Sequence, residues 1–220
     1  MQTIGLFPLN IVLFPGSSYP LHIFEARYKI LIREAIDTNG EFGINLVDEG
    51  KMFQTGCKAR VSNVLTVHDD GKMDIVVTGT DRYVVRTYHT NEHEYITADV
   101  DPLEDEEPNP EFEMLERTIG LYNRLVESVY GEAEELLNPS DWVTGGVSFR
   151  IAQKSGLELV VRQQLLEMRS ENERLAFLCT YLEEILPKIR QVEKIQMLVR
   201  NDGYVKPDVS WNDTDGDEPS

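Results

Sequence analysis

Residues 6–36 read LFPLNIVLFPGSSYPLHIFEARYKILIREAI, and this stretch decides the fold because it holds short apolar runs, loop prolines and an amphipathic segment in close succession. Ile4 to Leu9 and Ile11 to Phe14 are apolar runs too short for helices, broken at Pro8 and stopped by the turn dipeptide Pro15-Gly16, and they are expected as strands. After Pro20 the apolar positions Phe24, Tyr28, Leu31, Ile32, Ala35 and Ile36 recur at helical spacing. Glu25, Arg27, Lys29, Arg33 and Glu34 take the opposite face, and the helix ends near Asn39-Gly40. Glu25 and Arg27 read as an ion pair that fixes a loop, the ordinary role of neighbouring surface charges.

From Glu41 to Asp101 the pattern is strand after strand: Phe42 to Val47, Cys57 to Val67, Met73 to Thr78, Tyr83 to Tyr88 and Tyr95 to Val100. Turns are expected at Asp48-Glu49-Gly50, Asp69-Asp70-Gly71 and Gly79-Thr80-Asp81, which makes the sheet antiparallel. Residues 101–110, DPLEDEEPNP, carry three prolines and five acids and read as a linker. Beyond them the spacing is helical. Phe112, Leu115, Ile119, Tyr122, Val126 and Val129 mark one helix; others are expected after Asn138-Pro139-Ser140-Asp141 and from about Glu158 to Met168.

A last helix opens with the S-x-x-E box of Ser170 and Glu173 and continues through Leu175, Leu178, Leu182, Ile185, Ile189, Val192, Ile195 and Val199, with a kink expected at Pro187. Its apolar stripe could serve a coiled-coil dimer, but neighbouring helices also need a partner for their own apolar faces, so an intramolecular bundle is expected.

The order P-L-x-x-V-L-F-P-G at 8–16, then P-L-x-I-F-E-x-R-Y at 20–28, resembles the opening of the Lon protease amino-terminal domain, in the version carried by free-standing members of that family. G-x-x-A-R-V-x-x-V at 56–64, V-T-G-T-D-R-Y-V-V at 77–85 and S-x-x-x-R-L at 170–175 extend the resemblance. It implies an α+β fold: a PUA-like antiparallel β-barrel over residues 1–101 with the helix from 24 to 37 packed on it, an acidic linker at 102–110, a helical bundle over 111–205 and a disordered acidic tail at 206–220. It also implies binding of unfolded or extended polypeptides, with a separate protease as a possible partner. A chain of 220 residues has no room for the ATPase and Ser-Lys protease domains of the full-length enzyme. The contact surface is expected at Phe14, Pro15, Tyr19 and Phe53, apolar residues in or beside expected loops that have no evident core to fill; the alternative is that they seal the end of the barrel.

Composition narrows the remaining classes. The formal charge is -18, of which residues 101–116 hold -8 and residues 201–220 hold -5. This balance, with no cluster of Lys and Arg interleaved with aromatics, opposes the nucleic-acid role that PUA-like barrels take elsewhere. Neither an apolar stretch of ~18 residues nor a basic leader is present, so a cytoplasmic protein without membrane attachment is expected. Cys57 and Cys179 suit neither a disulfide framework nor a four-ligand zinc site, and no cofactor is expected.

No P-loop accompanies Gly145-Gly146, and no G-x-S-x-G occurs. His89-Thr90-Asn91-Glu92-His93 fits the inverted zinc-protease pattern H-x-x-E-H, through which His89, Glu92 and His93 would make a hydrolase. That chemistry needs the two imidazoles on one helical face, whereas the flanking sequence reads as a hairpin loop. His22 reads as a packed imidazole, His68 as exposed, and Trp142 as packed against the bundle while Trp211 lies in the tail.

Overall fold

Six strands alternate with one helix in the first half of the chain and helices alone follow, as the change of apolar period from two to about 3.6 dictates. The computed structural model describes residues 2–90, 93–130 and 136–200; the tail with Trp211 lies outside them. The elements are β1 (Gln2–Leu9), β2 (Ser18–Ile23), α1 (Ala26–Thr38), β3 (Phe42–Asp48), β4 (Lys51–Val67), β5 (Met73–His89) and β6 (Thr97–Pro102). Then come α2 (Phe112–Tyr130), a 3-10 turn (Pro139–Trp142), α3 (Val147–Lys154), α4 (Leu159–Glu167) and α5 (Glu171–Arg200).

The strand order is β2-β5-β4-β3-β1-β6, and β6 also pairs with β5, so five strands close on themselves while β2 extends the sheet beside β5. One pairing departs from the expected antiparallel pattern. β1 and β3 run parallel, Leu6 opposite Gly43 and Leu9 opposite Leu46, because the chain returns between them through β2 and α1 rather than through a hairpin.

Ile11 to Phe14, expected as a strand, forms none. Val12, Leu13 and Phe14 are buried in succession, which an alternating strand on a single core cannot achieve. Leu13 faces the core between sheet and α1, with Ile32, Phe42, Ile75 and Val77; Val12 and Phe14 face the helical core, with Leu115, Phe149 and Leu178. The segment is a wedge between two cores. Pro15-Gly16 turns as expected, with Gly16 at φ 73° and its N–H donating to the Gly79 carbonyl at 2.9 Å.

β2 was not expected as a strand; Pro20 is tolerated because β2 has β5 on one side only. Nor is Gly79-Thr80-Asp81 a turn. β5 runs through it, with Gly79 opposite Ala59 and Arg82 opposite Cys57, so the extra residue is a bulge that bends a long strand. A Cβ on Gly79 would lie 2.3 Å from the Phe14 carbonyl oxygen, which is why glycine stands at this bend.

Helix α1 ends where its sequence says, at Asn39 in the left-handed region with φ 50°. The Asp70-Gly71 hairpin also forms, Gly71 at φ 78°. Helix α5 opens as expected, the Glu173 N–H donating to Ser170 Oγ at 3.3 Å. Leu175, Leu178, Leu182 and Leu186 are buried against α2, α3 and the Phe14 wedge, so the described part of the stripe serves this chain's own core; positions 192–199 have no described side chains. Trp142 is half-buried on that core.

Candidate functional site

Strands and helices meet through a buried ionic cluster that gathers residues from four parts of the sequence. Arg82 of β5 donates to the Leu166 and Met168 carbonyls at 2.8 and 2.5 Å and to Asp105. Arg174 of α5 reaches both Asp105 oxygens, the Met168 carbonyl at 2.8 Å, Ser148 Oγ at 2.8 Å and Glu171 at 2.6 Å. Glu171 accepts from the Ser148 N–H and hydroxyl as well. Phe149 presents its ring to both guanidiniums, 5.2 Å from Arg82 and 4.3 Å from Arg174. Two cations face two carboxylates, and Arg174 and Glu171 are wholly buried.

The acidic stretch read as a linker is therefore fastened at its centre. Besides Asp105, the Glu106 N–H donates to the Arg169 carbonyl at 2.8 Å, and the Glu171 N–H donates to the Glu107 carbonyl at 2.9 Å. Burial would raise the Asp105 carboxyl, but the hydrogen bonds and charge of Arg174 and Arg82 outweigh it and hold it below its ordinary value. A depressed carboxylate contributes stability at pH above its unfolded value, 3.8, and loses it as pH falls through the folded value. The expected result is a fall in Tm on acidification below pH 3.8, with a shallower slope in Asp105→Asn, measured by thermal melts from pH 7 to pH 2.5.

The expected contact residues do not share one exposed surface. Phe14 is 0% exposed, stacked on Phe149 at 5.5 Å with the Arg162 guanidinium 5.3 Å above its ring. Its side chain seals the junction between sheet and helices. Pro15 lines a cleft of about 440 Å³ with Lys58, Arg82, Asp105 and Phe149. Phe53 lines another, of about 560 Å³, with Met52, Val84, Tyr88 and Glu167. Tyr19 is half-buried on the sheet–α1 core.

The described residues of the H-x-x-E-H pattern form no helix. His89 is the last residue of β5 and bonds Asp99 at 3.0 Å, His93 stacks on Tyr95 at 5.2 Å, and Glu92 lies outside the described residues. Both cysteines are buried, and burial pushes the Cys57 thiol up to about 12, which removes it as a nucleophile. His22, read as packed, is half-exposed and bonds Asp74 at 2.7 Å, because it takes the outward face of β2. Glu25 and Arg27 pair at 2.8 Å on the surface, as expected.

A different surface stands out. β4 is longer than its neighbour: β3 pairs with residues 51–59 of β4, and from Arg60 to Val67 β4 has β5 on one side and no strand on the other among the described residues. Residues 61–67, VSNVLTV, contain neither charge nor proline, the usual guards of a free edge. Val64, Leu65 and Val67 are 39%, 56% and 61% exposed. A groove of about 220 Å³ runs between this edge and α1, lined by the apolar Ala35, Ile36, Val61 and Val64 and by the polar Asn39, Arg60, Ser62 and Asn63. Sequence reasoning passed over this edge, although one signal was available: an eleven-residue strand at 57–67 beside a six-residue one at 42–47 must leave backbone unpaired.

No helix among the described residues is long and apolar enough to cross a membrane. The fold is similar to the crystal structure of a Lon N-terminal domain protein from Xanthomonas campestris, at TM-score 0.64 and 24% identity, covering 82% of this chain and 99% of that one. It is also similar to the N-terminal domain of Mycobacterium avium complex Lon protease, at TM-score 0.63 and 19% identity, covering 83% and 98%. In sequence it is 24% identical over 217 residues to Lon protease 2 of Syntrophobacter fumaroxidans, covering 91% of this chain and 27% of that protein. Lon protease of Parabacteroides distasonis is 30% identical over 130 residues, 54% of this chain and 16% of that protein. The chain thus spans about a quarter or less of these relatives, and the match includes no ATPase or protease domain. With the family pattern matched from residue 3 to 184, the chain belongs to the ATP-dependent protease La (LON) substrate-binding domain family.

Proposed function

We propose that this protein is a non-catalytic receptor for extended polypeptide, working in the cytoplasm beside a separate Lon-type protease. Its closed sheet is read as the PUA-like β-barrel of such receptors. The observation that carries the reading is the unguarded β4 edge from Val61 to Val67 beside a groove of mixed apolar and polar lining. A free edge offers backbone N–H and C=O groups in a row, so an incoming extended segment gains hydrogen bonds without any demand on its sequence. Its side chains meet Ile36, Val61 and Val64, which favour apolar residues, and Asn39, Ser62 and Asn63, which offer hydrogen bonds. Native chains rarely leave such an edge bare, because it invites pairing with other chains. Phosphate binding is disfavoured by the net charge of -18.

The test is fluorescence anisotropy with a labelled, extended apolar peptide and the full chain. Val64→Lys combined with Leu65→Lys should weaken binding on the order of tenfold or more, about 1.4 kcal/mol. Both residues are exposed, so Tm should move by less than about 2 °C. Unchanged affinity in the double variant would exclude the edge. Loss of affinity in Phe53→Ser instead would place binding in the Phe53–Tyr88 cleft, and tight RNA binding without peptide binding would overturn the receptor reading.

A further inference from the structure

At the far end of the β4–β5 hairpin, two histidines from separate segments converge on one aspartate. The β2–β5 register sets His22 directly opposite Asp74, while Ile23 and Met73 beside them point into the core. His68 follows the end of β4 and is held by the turn, its N–H donating to the Lys72 carbonyl at 2.9 Å and its own carbonyl accepting from the Gly71 N–H at 2.8 Å. His22 Nδ1 lies 2.7 Å from Asp74 Oδ1, and His68 Nε2 lies 2.7 Å from Asp74 Oδ2. All three donor atoms fall within 4.8 Å of one another, and among the described residues no other set of three His, Cys, Asp or Glu does so.

We propose that His22, His68 and Asp74 form a binding site for a divalent first-row transition ion, zinc being the probe of choice. Two imidazoles and one carboxylate make a donor set suited to zinc, cobalt, nickel or copper, and too rich in nitrogen for magnesium or calcium. An ion held at about 2.0–2.2 Å from each donor requires donors about 3.3 Å apart, so small side-chain rotations on a fixed backbone complete the shell. The three side chains are 36–51% exposed, which leaves solvent free to fill the remaining positions.

The hydrogen bonds to Asp74 place a proton on the very nitrogens that would ligate. A neutral imidazole has only to move that proton to its other nitrogen, which leaves His22 Nδ1 and His68 Nε2 as donors to the metal at no cost in charge. Such an ion would join the tip of the hairpin to β2. The proposal stands apart from polypeptide binding, since none of its three residues lines the β4–α1 groove.

Titration calorimetry with ZnCl2 on the full chain, after EDTA treatment and dialysis, should show one site saturating in the micromolar range. His22→Ala and His68→Gln should each weaken it on the order of tenfold or more. His89→Ala, which removes the imidazole paired with Asp99, should leave it unchanged. Cobalt should give the visible absorption of a nitrogen–oxygen site in the parent chain and lose it in Asp74→Asn. With EDTA the variants should melt within a few degrees of the parent, which separates lost ligation from lost fold. Absence of saturation below about 1 mM zinc, or equal affinity in the His22 and His68 variants, would overturn the assignment.

Discussion

Replacing Arg174 by leucine should destabilise the protein by about 3–5 kcal/mol, because it leaves Glu171 buried without its counter-charge and the half-buried Asp105 with Arg82 alone. For a chain of this length that is a fall in Tm of about 6–20 °C. The side chain is 0% exposed and reaches two carboxylates, the Ser148 hydroxyl and the Met168 carbonyl, so water cannot take its place without opening the junction. Arg174→Lys should recover only part of the loss, since one ammonium cannot reproduce the fork that meets Asp105 with two nitrogens. Guanidinium or urea melts of the two variants decide this. If Arg174→Leu melts within about 2 °C of the parent, the cluster is not what holds strands and helices together.

Phe14→Ala should cost about 3–5 kcal/mol, the usual loss for a buried aromatic whose cavity cannot collapse. Phe14 lies between Phe149 and Arg162, and Val12 beside it faces the same helical core. The effect should be on stability, with peptide affinity of the folded fraction unchanged. Phe53→Ala, a half-buried site at the edge of the same core, should cost less than Phe14→Ala. Parallel denaturant melts and anisotropy titrations separate the two effects. A Phe14→Ala chain that keeps its Tm and loses peptide binding would return this residue to the contact surface.

The absence of the strand expected at Ile11 to Phe14 has a specific cause. In the sequence, Ile11 to Phe14 is an apolar run ended by Pro-Gly, the ordinary signature of a strand followed by a turn. Consecutive burial requires two cores on opposite sides of one backbone, and the second core is made of helices a hundred residues and more downstream. Nothing local announces it. The same holds for Gly79-Thr80-Asp81, whose turn-like composition serves a bulge because the Phe14 backbone passes within reach. The linker shows the same limit: nothing in its sequence sets Asp105 apart from its acidic neighbours until Arg82 and Arg174 converge on it.

Local chemistry was enough for much of the architecture. Apolar and β-branched runs marked β3, the two halves of β5 and β6, the Asp70-Gly71 pair marked the hairpin, helical spacing marked α1, α2, α4 and α5, and Ser170 marked where α5 begins. These features rest on backbone preferences and on one buried face per element, both of which are written within a few residues. Tertiary structure alone decided the rest: the parallel β1–β3 pair, the wedge of Val12 to Phe14, the ionic junction, the bare edge of β4, and the meeting of His22, His68 and Asp74. Each joins residues distant in sequence, and which distant residues meet is set by the packing of whole elements against one another, a quantity no short window of sequence contains.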